Sequence, residues 1–135
     1  MHVDHLVFAA GPDGLLAEAE RLGDLFGCKF RDGGFHPRFG TRNHILPLQG
    51  DRYLELVEVL EHPAAEKAPF GQAVRARTAL GGGWMGWVVS VDALAPIEQR
   101  LGREWETHEF QLAIISYFGE FAEWEDDRIV IAWKH

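Results

Sequence analysis

Two residues that can move a proton sit in strand-like settings. His5 lies in HVDHLVF (2–8) and Glu55 in RYLELVEV (52–59), both short runs rich in β-branched and aromatic residues. An imidazole there can be a general base or a metal ligand, or a buried ring bonded to backbone. A carboxylate among apolar neighbours needs a partner or water, or it stays protonated. On an edge strand it would simply face solvent. A third polar group lies between them, in GGFHPRFGTRNHILPL (33–48). His36 and Asn43 can each donate and accept hydrogen bonds, and Arg38 and Arg42 can grip a carboxylate in bidentate fashion. The same residues also read as turn chemistry: Pro37 and Gly40 break the chain, Asn43 can bond its own backbone, and the arginines can be solvated.

These side chains need elements to hold them. HVDHLVF alternates, with Val3, His5 and Val7 on one face and Asp4, Leu6 and Phe8 on the other. GPDGLLAEAERLGDLFG (11–27) reads as a helix starting at Pro12–Asp13 and capped by Gly27. Leu15, Leu16, Ala19, Leu22, Leu25 and Phe26 are expected on its buried face, and Gly23 weakens it slightly. A short strand is expected near Cys28 to Arg31, then strands over 43–48 and 52–59 joined by the turn QGD (49–51). Pro47 marks the earlier of those two as an edge strand or its end. Phe35 to Asn43 is expected as a loop at a ligand entrance.

Residues 61–83 open with prolines and close with three glycines, and read as a connection holding one helix over 70–80. The order of elements then repeats. WMGWVVSVD (84–92) reads as a strand. ALAPIEQRLG (93–102) reads as a helix capped by Asp92, with Leu94, Ile97 and Leu101 inward and Gly102 at its end. FQLAIISYF (110–118) and RIVIAWKH (128–135) read as strands, with a further short one within 103–108 or at FAEWE (121–125). The expected fold class is α+β: two βαβββ modules, about 1–60 and 84–135, joined by the linker 61–83 into a single domain of 135 residues.

The chain carries 21 acidic against 13 basic residues, a net charge of −8, which argues against nucleic acid as a partner. No apolar run approaches the length needed to span a bilayer, so no membrane partner is expected. Cys28 is the single cysteine and cannot form an internal bridge; without a signal-like N-terminus the expected setting is a reducing cytoplasm. Cys28 follows a helix C-terminus, where nothing lowers its pKa, so it is not read as a nucleophile. The tryptophans at 84, 87, 105, 124 and 133 read as core or interface residues.

VDHLVFAA, GGFHPRFGTRNHILPL and YLELVEV, in this order and spacing, resemble the glyoxalase-like domain proteins of bacteria, within the vicinal oxygen chelate superfamily. That group includes glyoxalase I, bleomycin-resistance proteins and extradiol dioxygenases. The match covers about the first sixty residues well; GWVVSVDAL and FAEWEDD extend it more thinly. The resemblance implies two small sheets forming a half-open cup around a small molecule. In metal-dependent members, four side chains from the first and last strands of each module hold one divalent ion. Carried over, those positions are His5 and Glu55 in the first module, and Gly86 and Ile131 in the second. Neither Gly86 nor Ile131 has a donor; Glu123 or His135 would substitute only under another register. Catalytic zinc usually has three protein ligands. No cofactor is therefore firmly predicted, and little tightly bound metal is expected. If a divalent Zn, Ni, Mn or Fe binds, His5 and Glu55 are its ligands.

The resemblance implies that His5 and Glu55 face one cavity, where they would form a metal-free acid–base pair suited to isomerisation or proton abstraction beside a carbonyl. It puts His36 and Asn43 at the cavity mouth as substrate-binding residues, with Arg38 retained beside them; Arg42 and His44 read as structural. The implied function is a lyase- or isomerase-type enzyme acting on a small oxygenated metabolite. The alternatives are a non-catalytic small-molecule binder of the resistance type and a scaffold that mainly dimerises. A homodimer is compatible with all three.

Overall fold

The computed structural model of the chain describes residues 2–91, 93, 95–101, 107–108, 112–113, 121–125 and 128–134. Its elements are β1 (His2–Ala9), α1 (Leu15–Phe26), β2 (Arg31–His36), β3 (Thr41–Pro47), β4 (Tyr53–Val59), α2 (Pro63–Lys67), α3 (Pro69–Ala79), β5 (Gly83–Val91), α4 (Ala95–Leu101), β6 (Thr107–His108), β7 (Leu112–Ala113), β8 (Phe121–Glu125) and β9 (Arg128–Lys134). The chain is α+β, and the order βαβββ is followed twice, with an added strand the second time. It divides into two compact units, Leu6–Met85 and Met1–His5 with Gly86–His135. Among the described residues no helix is long and apolar enough to cross a membrane.

In the Leu6–Met85 unit the strands lie in the order β2-β3-β4-β1, with β2, β3 and β4 antiparallel. Alternation turns Phe8, Leu46, Leu54 and Leu56 to one face, where they form a buried cluster with Leu15 and Leu22 of α1. Fully burying each leucine contributes about 1.5–3 kcal/mol, so this contact fixes which face of the sheet the helix covers. The helical face is narrower than the sequence pattern suggests. Leu16, Leu25 and Phe26 are 68%, 70% and 45% exposed. Leu16 lies roughly 100° around the helix from Leu15, and Leu25 and Phe26 close the last turn beside the cap.

That cap explains Gly23. Gly27 is left-handed (φ 66°), and the Cys28 N–H bonds back to the Gly23 carbonyl at 2.9 Å, a Schellman closure. A Cβ on Gly23 would stand 2.7 Å from the Cys28 carbonyl oxygen. The glycine is there for this close approach.

The stretch expected as an entrance loop is a β-hairpin. β2 starts at Arg31, three residues later than the strand expected at Cys28, and β3 already starts at Thr41. Only residues 37–40 form the turn, and Phe39 and Gly40 within it are buried. Phe39 packs edge-on against Phe70 of α3, with centroids 5.5 Å apart. β3 is an inner strand that ends at Pro47: β2 reaches only Ile45, so the missing N–H of Pro47 costs no bond on that side.

The connecting segment holds two helices rather than one. Pro63 and Pro69 open α2 and α3, where a missing N–H is harmless. His62 caps α2 by accepting the Ala64 N–H at 3.2 Å.

In the other unit β5, β9 and β8 form consecutive antiparallel pairs, and β6 pairs with β7. FAEWE and RIVIAWK are strands as expected. Of FQLAIISYF only Leu112–Ala113 is described, as β7. Asp92, Leu94, Gly102 and His135 lie outside the described residues, as do the side chains of Ile97 and Leu101.

Glu58 ties the sheet to α1. Its Oε1 accepts the Leu15 N–H at 3.0 Å and its Oε2 accepts the Arg42 Nε–H at 2.6 Å. Gly14, the helix N-cap residue, makes no side-chain cap bond, so Glu58 supplies one from β4. Glu58→Ala is expected to cost about 1–2 kcal/mol in urea unfolding, the sum of a lost cap and an exposed ion pair. Glu58→Gln, which keeps an acceptor, is expected to cost less than half of that.

Candidate active site

The face of the β2-β3-β4 sheet turned away from α1 collects the polar residues singled out in the sequence. On β4, Leu54 and Leu56 point to the helix-side cluster, so Tyr53, Glu55 and Val57 take the other face. The register pairs Thr41 with Val59, Asn43 with Val57, Ile45 with Glu55, and His36 with Thr41. His36, Thr41, Asn43 and Glu55 therefore share one face of three adjacent strands. Glu55 is 8% exposed, Asn43 7% and Thr41 0%.

Asn43 donates from Nδ2 to Glu55 Oε1 at 2.6 Å, a buried bond between diagonal cross-strand positions. An ionised carboxylate only accepts, so the amide must present its nitrogen to Glu55. Its oxygen is then turned toward β2. There the register shifts between Asp32 and Gly34, so that Gly33 is an extra residue, a β-bulge. A Cβ on Gly33 would stand 2.1 Å from Asn43 Oδ1.

Three polar atoms on this face are buried without a hydrogen-bond partner: Asn43 Oδ1, Thr41 Oγ1 and His36 Nε2. Opposite residues on paired strands have Cβ atoms about 5 Å apart, so His36 and Thr41 are neighbours. An orphaned buried polar atom costs roughly 1–3 kcal/mol. Packing alone gives no reason to hold three of them together. Thr41 was not a sequence candidate. The signal for it was its place two residues before Asn43, which puts both side chains on one face of a strand.

His5 belongs to the other unit. Its Nδ1 is 2.8 Å from Asp4 Oδ1, and the two residues are 4% and 6% exposed. With a carboxylate accepting from Nδ1–H, a neutral ring carries its basic lone pair on Nε2. Asp4 was read in the sequence only as part of the opposite face. A carboxylate directly preceding the histidine was the available signal for it.

The remaining candidates divide. Arg38 is exposed on the hairpin turn. Arg42 pairs with Glu58 at the helix N-terminus, and His44 is half-buried opposite Leu56 on the α1 side. Both have structural surroundings.

Among the described residues the donor set does not suit a bound metal ion. No three or more His, Cys, Asp or Glu side chains of those residues come together as a group able to hold one. Glu55 Oε1 is engaged by an amide. Gly86 and Ile131 occupy β5 and β9, Gly86 opposite Lys134 and Ile131 opposite Val89, and neither side chain can donate to a metal. Glu123 pairs with Val130 in β8.

A family model described as "Glyoxalase-like domain" matches residues 3–134. No curated protein matches the chain. Among solved structures, methylmalonyl-CoA epimerase from Mycobacterium tuberculosis superposes with a TM-score of 0.60 at 17% identity, over 99% of this chain and 88% of that one. A variant of methylmalonyl-CoA epimerase from Streptomyces coelicolor, in complex with 2-nitronate-propionyl-CoA, gives a TM-score of 0.53 at 17% identity, over 94% and 89%. At that identity the two structures speak for the fold alone. The family match extends over both βαβββ repeats, and by it the chain belongs to the glyoxalase-like domain family of the vicinal oxygen chelate superfamily.

Proposed function

We propose that this chain is an acid–base enzyme of the isomerase or lyase type, acting on a small metabolite with a C–H bond beside a carbonyl. The observation that carries this reading is the buried Glu55 carboxylate, held by a neutral amide on the sheet face that α1 leaves uncovered. The amide orients the carboxylate and carries no charge of its own. Glu55 takes the proton from the carbon, and the electron pair moves into the carbonyl to give an enolate. The family resemblance adds His5, whose Nδ1 lies against Asp4, as a second proton-transfer group. Return of a proton to the same carbon from the other side inverts it; loss of a group from the adjacent carbon makes the reaction a lyase step. Acid–base groups so placed contribute about 10²–10⁴-fold each.

His36 and Arg38 on the hairpin are the proposed substrate-binding residues, with Asn43 behind them. The epimerase activity named for the two structural neighbours is a reaction of this class. A homodimer in a reducing cytoplasm belongs to the same reading; it draws on the superfamily resemblance and the lone thiol of Cys28.

A non-catalytic binder of the same fold is the second reading. It is favoured by the three buried polar atoms without partners, which a ligand's donors and acceptors would satisfy.

The test is proton exchange in D2O. Methylmalonyl-CoA and dihydroxyacetone are suitable probes, since each has C–H bonds beside a carbonyl. The wild-type protein is expected to wash deuterium into one of them, read as loss of the C–H resonance. Glu55→Gln and His5→Ala are each expected to slow that exchange by roughly 10²–10⁴-fold. Tight binding of a probe with no exchange above the solvent rate would select the binder.

A further inference from the structure

We propose that Gly33 and Asn43 form a positioning device for Glu55, in which the bulge in β2 seats the amide that holds the carboxylate. The proposal rests on the reading of Glu55 as the base, but its physical content stands on its own.

Two adjacent glycines of β2 differ in what makes them glycine. Gly34 has φ +101°, a backbone that excludes most side chains, whereas Gly33 is not among the residues with positive φ. Nothing in its backbone calls for glycine. The obstruction to a side chain at 33 comes from one place: a Cβ would meet Asn43 Oδ1 at 2.1 Å and Asn43 Cγ at 3.0 Å. The next neighbour, Ile45 Cγ2 at 3.2 Å, is the end of a side chain that can give way. Gly33 is thus specified by Asn43. Asn43 in turn is specified by Glu55, since its Nδ2 makes the 2.6 Å bond to Oε1 while its Oδ1 has no partner. An amide kept for stability would satisfy both ends. This one leaves its oxygen buried and orphaned against a bulge, and meets only the carboxylate.

The bulge also explains the spacing of the hairpin. Carried on without the bulge, the pairing of Asp32 with His44 would set Phe35 rather than His36 opposite Thr41 and turn His36 to the other face. The extra residue sets a glycine beside the amide while leaving His36 opposite Thr41. Gly33 and Asn43 are therefore positioning residues that act through Glu55.

Asn43 is the single asparagine of the chain, which gives a direct readout. Selective 15N-asparagine labelling yields one side-chain amide pair. In the wild-type protein that pair is expected to be shifted downfield and to resist solvent exchange. Glu55→Gln is expected to move the pair toward random-coil shifts and to speed its solvent exchange while the protein stays folded. A pair with random-coil shifts in the wild type, or one indifferent to Glu55→Gln, overturns the proposal.

The role of Gly33 is read from a cycle of thermal midpoints. Gly33→Ala is expected to destabilise the wild-type protein sharply and to be tolerated when Asn43→Ser has removed the obstructing amide. Failure of the double variant to fold, or equal loss in both backgrounds, contradicts the seat. Where an exchange activity is measured, Gly33→Ala should lower the rate on the order of 10²-fold through misplacement of the base, with the KM of the same probe little changed. Silence of every probe alongside the amide signature would refute the enzymatic reading and leave the positioning device standing.

Discussion

The bond from Asn43 to Glu55 is the constraint around which this half of the protein is arranged. Taking a carboxylate out of water is costly unless it gains hydrogen bonds, and Glu55 is inside the sheet face with Asn43 as a donor. The strand register follows from it. Asn43 and Glu55 meet as diagonal neighbours because β3 and β4 pair with Asn43 opposite Val57 and Ile45 opposite Glu55. A shift of one residue would turn one of the two toward α1. The leucine cluster under α1 fixes the same register from the opposite face, through Leu46, Leu54 and Leu56. Apolar burial on one side and a polar pair on the other therefore fix which face each strand turns toward α1.

The surroundings protect that alignment. Glu58, one turn of the pleat beyond Leu56, caps α1 and pairs with Arg42, so the helix is joined to the two strands that carry Asn43 and Glu55. The hairpin turn after His36 is anchored by Phe39 against Phe70. Strand positions hold side chains more firmly than loop positions do. That bears on chemistry, because a group that removes a proton from carbon must meet it within hydrogen-bonding reach. The Asp4–His5 contact in the other unit has the same character: a buried carboxylate fixes which ring nitrogen is basic.

Much of this was legible in the sequence. The alternation in YLELVEV set Glu55 against Leu54 and Leu56, and the motif spacing supplied the family. The hairpin was harder to read, because glycine and proline in GGFHPRFG point to an open loop. Gly33 answers to a side chain ten residues away, and that demand leaves no local trace. Likewise Pro63 and Pro69 looked like breaks and prove to be helix starts. Leu16, Leu25 and Phe26 matched the helical period, yet periodicity cannot tell how far the covered stripe of a helix extends. Thr41 and Asp4 become legible only once Asn43 and His5 are placed, because their one signal is their position relative to those residues. The linkage between Gly33, Asn43 and Glu55 needs three strands in register before it exists at all.

The central claim is that Asn43 and Glu55 act as one unit, the amide holding the carboxylate that is proposed to take the proton. The most direct measurement is a double-variant cycle on the rate of deuterium exchange, with Glu55→Gln, Asn43→Ala and the two combined. Groups that work as a unit are strongly non-additive. The account predicts that the combined variant is scarcely slower than the slower single variant. Losses that simply multiply would mean that the two residues act independently, and would contradict it.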